Sequence, residues 1–253
     1  MKTTEDTHVR KALHDGVWLN VDISNVAEWN VYIKGGHDLG VMYWIRTLGR
    51  KDTTLVDIGA NVGLMTIPMA NATGDGGRVI AYEPYPESYA RLRENCREAG
   101  IENTELRNVA IGEVAGEMQL HVPKNKGAAT LIARDDAQAV TVSVERPADL
   151  GEDVSVVKID VEGFESNVLL AIEKVITKTR PALIVETTFD SRALEYLVNI
   201  GYELREVINH PPFSRPVRER DGKQIEILAL PKELDLLGSA KTTLAECSRT
   251  AEA

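Results

Sequence analysis

The short run Leu55-Val-Asp-Ile58 ends in Gly59-Ala-Asn-Val-Gly63 and continues into a further apolar stretch. An apolar strand that meets a glycine-rich turn and leaves it as a helix is the opening of an open α/β sheet, with its ligand at the strand's carboxyl end. The glycines let backbone come close to a bound molecule. A dinucleotide turn is written G-x-G-x-x-G and leaves a helix N-terminus free for a pyrophosphate. Here Asp57 stands at the first glycine position and Asn61 inside the turn. A carboxylate facing the pocket repels a pyrophosphate and suits a cation. S-adenosylmethionine, with a sulfonium and an ammonium, meets that requirement.

From this turn onward, strand-like and helix-like segments alternate, which predicts a doubly wound, mostly parallel α/β sheet. The expected strands are Thr54–Ile58, Arg78–Glu83, Glu105–Ala110, Val154–Asp160 and Ala182–Glu186. Helices are expected over Val62–Asn71, from Pro86 to Gly100, from Phe164 through Ile176, and over Arg192–Asn199. In the second of these, Tyr89, Leu92, Cys96 and Ala99 share one face. Met118–Val122 and Val140–Val144 read as extra strands around a polar loop, Pro123–Gln138. Tyr202–Ile208 and Lys223–Leu230 are expected to pair antiparallel at one edge, because His210–Pro216 is too rich in proline for a helix. That makes seven strands in the main sheet.

The chain divides into residues 1–51, 52–231 and 232–253. The first is too short to fold alone and is expected to cap the acceptor side of the sheet. Within it Val17–Ile23 and Val31–Ile33 read as strands and Asp38–Leu48 as a helix. The segment 232–253 is a weakly patterned tail.

The net charge of −10 disfavours a broad nucleic-acid interface. Cys96 and Cys247 are too far apart for metal-ligand spacing. No apolar run is long enough to cross a bilayer, and Met1–Thr7 leads into no apolar stretch. A cytoplasmic protein acting on a small molecule is expected.

Acidic residues collect at strand ends: Asp57, Glu83, Asp160, Glu162 and Glu186. Glu83 lies 24 residues beyond Gly59, where a carboxylate accepts hydrogen bonds from ribose hydroxyls. Asp57 could organise its own turn and still face the ligand. Asn61 suits a left-handed backbone position. Asn108 could flank an adenine or serve as a turn residue. In Lys158-Ile-Asp-Val-Glu162 the strand alternation places Lys158, Asp160 and Glu162 on one side. Lys158 is expected to pair with a carboxylate, and Glu165 to cap the helix that follows.

The blocks Val56–Gly63, Tyr82-Glu-Pro84, Asn108-Val-Ala-Ile-Gly112, Lys158–Glu165 and the strand ending at Glu186 resemble the FkbM family of S-adenosylmethionine-dependent methyltransferases. The resemblance runs from Asp52 to Asp190, with every block in the family's order. It implies a class I, Rossmann-like methyltransferase fold and O-methylation of a hydroxyl on a natural product, sugar or lipid-like molecule. It also implies cofactor positions at Asp57, Gly59, Ala60, Asn61, Gly63, Glu83, Asn108 and Asp160. Two departures stand on the acceptor side. Glu186-Thr-Thr188 lacks the histidine often found there, and Glu145-Arg-Pro-Ala-Asp-Leu150 replaces a Leu-Asp-x-Leu pattern.

Displacement at an already activated methyl needs alignment and a base for the hydroxyl proton. Asp160 or Glu162 is expected to be that base, helped by His37. Two alternatives carry different chemistry. Asp160, Glu162 and Glu186 could hold Mg²⁺ against the acceptor oxygen. An NAD-dependent oxidoreductase would share the sheet and the ribose acid, but the turn lacks its pyrophosphate fingerprint. Acceptor recognition is expected from the N-terminal segment and the loops Pro123–Gln138 and His210–Pro216.

Overall fold

The computed structural model describes residues 8–123, 129–133, 137–147, 149–189, 191–217 and 223–233. Cys247, nearly all of the expected tail 232–253 and part of the expected loop Pro123–Gln138 lie outside the described residues.

The chain opens with a hairpin, β1 (Val9–His14) and β2 (Val17–Asp22), then α1 (Val26–Lys34) and α2 (Leu39–Leu48). Next come β3 (Thr54–Ile58), α3 (Thr66–Thr73), β4 (Arg78–Tyr82), α4 (Pro86–Glu98) and β5 (Thr104–Arg107). A side excursion follows through β6 (Ala110–Ile111), β7 (Gly116–Val122) and β8 (Gln138–Glu145). The chain returns as β9 (Val154–Ile159), α5 (Glu165–Ala171), α6 (Glu173–Thr179), β10 (Ala182–Thr188) and α7 (Arg192–Asn199). It finishes with β11 (Tyr202–Val207), β12 (Ser214–Pro216) and β13 (Gln224–Pro231).

The main sheet has the order β12-β11-β13-β10-β9-β3-β4-β5. Strands β5, β4, β3, β9 and β10 are parallel, and β13 inserts antiparallel between β10 and β11. Leaving out the three-residue β12, this is the expected seven-stranded sheet with its antiparallel edge. Strands β3 and β9 are buried along their whole length, so they read as near-continuous apolar runs. Asp57 and Lys158 interrupt those runs, paired in register across β3 and β9. Strand order reverses between β3 and β9, and the carboxyl ends there open the crevice in which such sheets bind ligands.

Apolar residues pack on both faces of the sheet. On one face Ala12, Leu19, Val21, Val41 and Ile45 of the N-terminal segment share a core with Leu55, Ala60, Val62 and Ile67. On the other, Val168, Leu169 and Ile176 pack on Val56, Val157 and Leu183.

Several local expectations change. Val31–Ile33 belongs to α1, whose start is capped by the Asn25 side chain accepting from Ala27 N and Glu28 N. An apolar triplet cannot distinguish strand from helix by period. Helix α3 starts at Thr66 instead of Val62, because Asn61 (φ +50°) and Gly63 (φ +96°) hold the preceding turn left-handed. The expected third strand divides: Thr104–Arg107 stays in the main sheet, while Ala110–Ile111 joins β8 and β7 in a separate three-stranded sheet. The helix after Phe164 breaks at Ile172 into α5 and α6.

Candidate active site

The glycine turn is built around one close approach. Gly59 sits at φ +83°, and a Cβ there would lie 1.8 Å from the Asp160 carbonyl oxygen. The Tyr82 carbonyl accepts from Gly59 N at 2.9 Å and Ala60 N at 3.0 Å. Beside it the buried Glu83 carboxylate accepts from Asn61 N through Oε2 and from Tyr85 N through Oε1, both at 2.8 Å. Burial pushes the Glu83 carboxyl up to about 7, and the two N–H donors pull against it. The turn that follows β3 and the acid that follows β4 are therefore one hydrogen-bonded unit.

A pocket opens over this unit. Gly59, Asn61, Glu83 and Pro84 line one side, and Val109, Ile111, Leu120, Leu131 and Phe164 make its apolar wall. Asp160 and Glu162 also line it. Asn108 does not line it. Its amide donates to the carbonyls of Glu83 (2.8 Å) and Pro84 (3.0 Å), so it clamps the Glu83 turn and leaves Val109 against the pocket. Ala60 is buried behind the turn, and Gly63 faces Leu92.

Charge concentrates beside the pocket. The Lys158 ammonium, buried, lies 3.0 Å from Asp160 Oδ2 and 3.8 Å from Asp57 Oδ1, and donates to the Gly59 carbonyl at 3.4 Å. Burial opposes its charge, but Asp160, Asp57 and Glu226 together hold it well above the ordinary lysine range. Asp57 is fully buried. Its Oδ2 accepts from Thr66 Oγ1 at 2.6 Å, while Oδ1 has no hydrogen-bond partner among the described residues. Burial raises its carboxyl, and Lys158 offsets part of that rise.

Asp160 and Glu186 are acidic neighbours whose charges oppose each other. Burial and the Asp160 charge push Glu186 up to about 10, which favours the proton on Glu186 and a hydrogen bond from it to Asp160. Burial would raise Asp160 too, but the Lys158 charge and that donated hydrogen bond keep it ionised, below the usual carboxylate value. Directly across the antiparallel pair, Glu226 of β13 faces Glu186. Burial, then the charges of Asp160 and Asp38, push Glu226 up to about 8. Its buried Oε2 has no hydrogen-bond partner among the described residues.

The remaining acids are held in place by neighbours. Glu162 is left-handed (φ +52°), accepts from Gln224 Nε2 at 2.8 Å, and its carbonyl accepts from Thr130 Oγ1 at 2.7 Å. Glu165 accepts from Gly163 N at 2.6 Å, as a turn acceptor at the start of α5. His37 pairs with Asp38 at 2.9 Å and is not among the residues that line the pocket. The loop after β11 is tied to α2: Asn209 Oδ1 accepts from Gly40 N at 2.9 Å, Trp44 Nε1 donates to the Phe213 carbonyl at 2.9 Å, and Tyr43 stacks on Phe213 at 4.5 Å. Two segments expected to recognise the acceptor are thus joined to each other. Glu226 was not among the expected site residues. Its sequence signal is a lone carboxylate within the apolar run Ile225-Glu-Ile-Leu-Ala-Leu230.

The sequence of residues 57–206 matches the methyltransferase FkbM domain. The chain belongs to the FkbM methyltransferase family. No curated protein matches it significantly along the sequence. Similar solved structures include the FkbM methyltransferase of Methylobacillus flagellatus KT, at 17% identity and TM-score 0.48 over 83% of this chain and 56% of that one. A SAM-dependent O-methyltransferase of Thermotoga maritima is similar at 18% identity and TM-score 0.47, over 79% and 66%. An rRNA methylase of Streptococcus thermophilus is similar at 14% identity and TM-score 0.46, over 75% and 93%. In this FkbM-family chain the matched span begins at Asp57 and contains Glu83, Asp160, Glu162 and Glu186, while Glu226 lies beyond it.

Proposed function

We propose that this FkbM-family chain methylates a hydroxyl on a small molecule, with S-adenosylmethionine as donor. The observation that carries the proposal is the joint Asn61–Glu83 unit lying next to a buried Asp57, whose Oδ1 has no hydrogen-bond partner among the described residues and only the Lys158 ammonium 3.8 Å away. The residues present suit that donor. Glu83 keeps free lone pairs for two ribose hydroxyls, Asp57 supplies negative charge for an ammonium, and Gly59 lets the turn pack against the Asp160 backbone while its own backbone lines the pocket. When bound, the donor supplies a methyl activated by its positive sulfur.

The protein's own part is alignment and proton handling. Asp160, ionised and lining the pocket, accepts the hydroxyl proton, and Glu186 behind it shares the charge that moves. Glu162 lines the pocket with Asp160, and His37, paired with Asp38, is the candidate helper from the N-terminal segment. The net charge of −10 supports a small-molecule acceptor over a nucleic acid. Among the described residues, no helix is long and apolar enough to cross a membrane.

One observation favours a second reading. Oxygen atoms of Asp160, Glu162 and Glu186 lie within 4.8 Å of one another, a spacing a divalent cation could bridge to the acceptor oxygen. Methyl transfer from labelled S-adenosylmethionine to a panel of hydroxylated small molecules tests both. Transfer that survives a strong chelator supports the metal-free reaction, and transfer restored only by Mg²⁺ supports the second. Transfer to RNA but to none of the small molecules would overturn the acceptor assignment.

A further inference from the structure

We infer that His14, in the N-terminal hairpin, is a positioning residue for the methyl-donor turn, so that the hairpin belongs to the donor site. The inference rests on the donor reading above and adds a residue outside the matched FkbM span.

The left-handed residues Asn61 and Gly63 break the helical pattern between Gly59 and Thr66. Backbone groups in such a stretch must find partners elsewhere, because a buried unpaired carbonyl is costly. Each partner comes from a different element. Glu83 accepts from Asn61 N, Asn95 Nδ2 donates to the Val62 carbonyl at 2.9 Å, and His14 Nε2 lies 2.7 Å from the Leu64 carbonyl. The second clamp also leads to the hairpin, since Asn95 Oδ1 accepts from Asn20 N of β2 at 3.1 Å. Arg91 then fixes β2 from outside, donating to the Asn20 carbonyl and to the buried Glu28. Both strands of the hairpin therefore reach back to the donor turn.

The geometry assigns His14 its tautomer. A carbonyl can only accept, so Nε2 carries the hydrogen. Nδ1 is then a bare acceptor, buried and without a partner among the described residues. Burial, partly offset by the Leu64 carbonyl, holds the imidazole below its ordinary range, and it stays neutral while gripping the turn. An apolar side chain would fill the space and leave the Leu64 carbonyl unsatisfied. A glutamine could still offer an N–H.

The test compares His14→Leu and His14→Gln by calorimetry with S-adenosylmethionine and by steady-state kinetics. The expected result for His14→Leu is a donor Kd and donor KM raised about tenfold. Its acceptor KM and its kcat at saturating donor should stay within about twofold of wild type. His14→Gln should recover most of the donor affinity. Loss spread equally over donor and acceptor constants, or unchanged donor binding in a folded His14→Leu, overturns the inference. Should His14→Leu fail to fold, hydrogen exchange in wild type decides: the donor should slow exchange in β1 and β2 as well as at residues 59–66. Slowing confined to residues 59–66 overturns it. Wild-type protein that binds no S-adenosylmethionine instead overturns the donor reading itself.

Discussion

Glu83 accepts a hydrogen bond from the backbone N–H of Asn61 at 2.8 Å, tying the end of β4 to the turn that leaves β3. This contact makes the glycine turn and the acid 22 residues beyond Asn61 a single device. The carboxylate orders the turn with one lone pair on each oxygen and keeps the others for a ligand.

Glu83→Ala should weaken S-adenosylmethionine binding by about 10- to 100-fold, since hydrogen bonds to charged groups contribute about 1.5–3 kcal/mol. Glu83→Gln should also fall well short of wild type, because its NH₂ would face the N–H of Asn61 or Tyr85. Calorimetry at neutral pH reads both. Donor affinity unchanged in the alanine variant would remove Glu83 from the site.

Lys158 is the buried cation between Asp57 and Asp160. Lys158→Met should destabilise the fold by about 3–5 kcal/mol, the usual effect of leaving buried charge unpaired. Adding Asp57→Asn should recover part of the loss. Urea unfolding measures both, and an unshifted midpoint for Lys158→Met would show that the pair is energetically idle.

Asp160→Asn should cut kcat by about 10²–10⁴-fold, the range for a removed general base, while donor binding changes little. Glu162→Gln should cost less, because that carboxylate is already engaged by Gln224. If both variants keep normal turnover, neither residue takes the proton.

Three acids pull stability down as pH rises. Against them stands the buried neutral His14, whose contribution grows as pH rises through the ordinary histidine range. Burial holds Glu83 at about 7, Glu226 at about 8 and Glu186 at about 10, all above the unfolded carboxyl value. Between roughly pH 4.5 and those values the native state binds more protons than the unfolded chain, so stability falls as pH rises. The slope has an upper limit of about 1.4 kcal/mol per carboxyl per pH unit. Asp160, held low by Lys158, acts with the opposite sign and only below about pH 4. The ligand-free thermal midpoint should therefore drop between about pH 5 and pH 8, and Glu226→Gln should flatten that drop. A midpoint that rises over this interval would contradict the protonated pair.

The residues of the proposed donor half of the site could be named from the sequence because their signals are local. Strands β3 and β9 announce themselves as buried apolar runs, and Asp57, Gly59 and Glu83 follow from turn chemistry and spacing. What the sequence hid depends on register and long-range contact. Glu226 faces Glu186 only because β13 inserts antiparallel beside β10, and no local pattern encodes that pairing. Strand β1 carries Arg10 and Lys11 outward with Ala12 and His14 inward, too few apolar residues to stand out. The left-handed Asn61 was anticipated, yet its effect in delaying α3 to Thr66 was not. Asn108, expected by resemblance at the cofactor, instead holds backbone through its amide and does not line the pocket.

The donor assignment meets its most direct test in calorimetry of the wild-type protein with S-adenosylmethionine and, separately, with NAD. The Asp57–Asn61–Glu83 arrangement predicts saturable binding of S-adenosylmethionine and none of NAD, with Glu83→Ala abolishing most of the heat. Binding of NAD alone would contradict it.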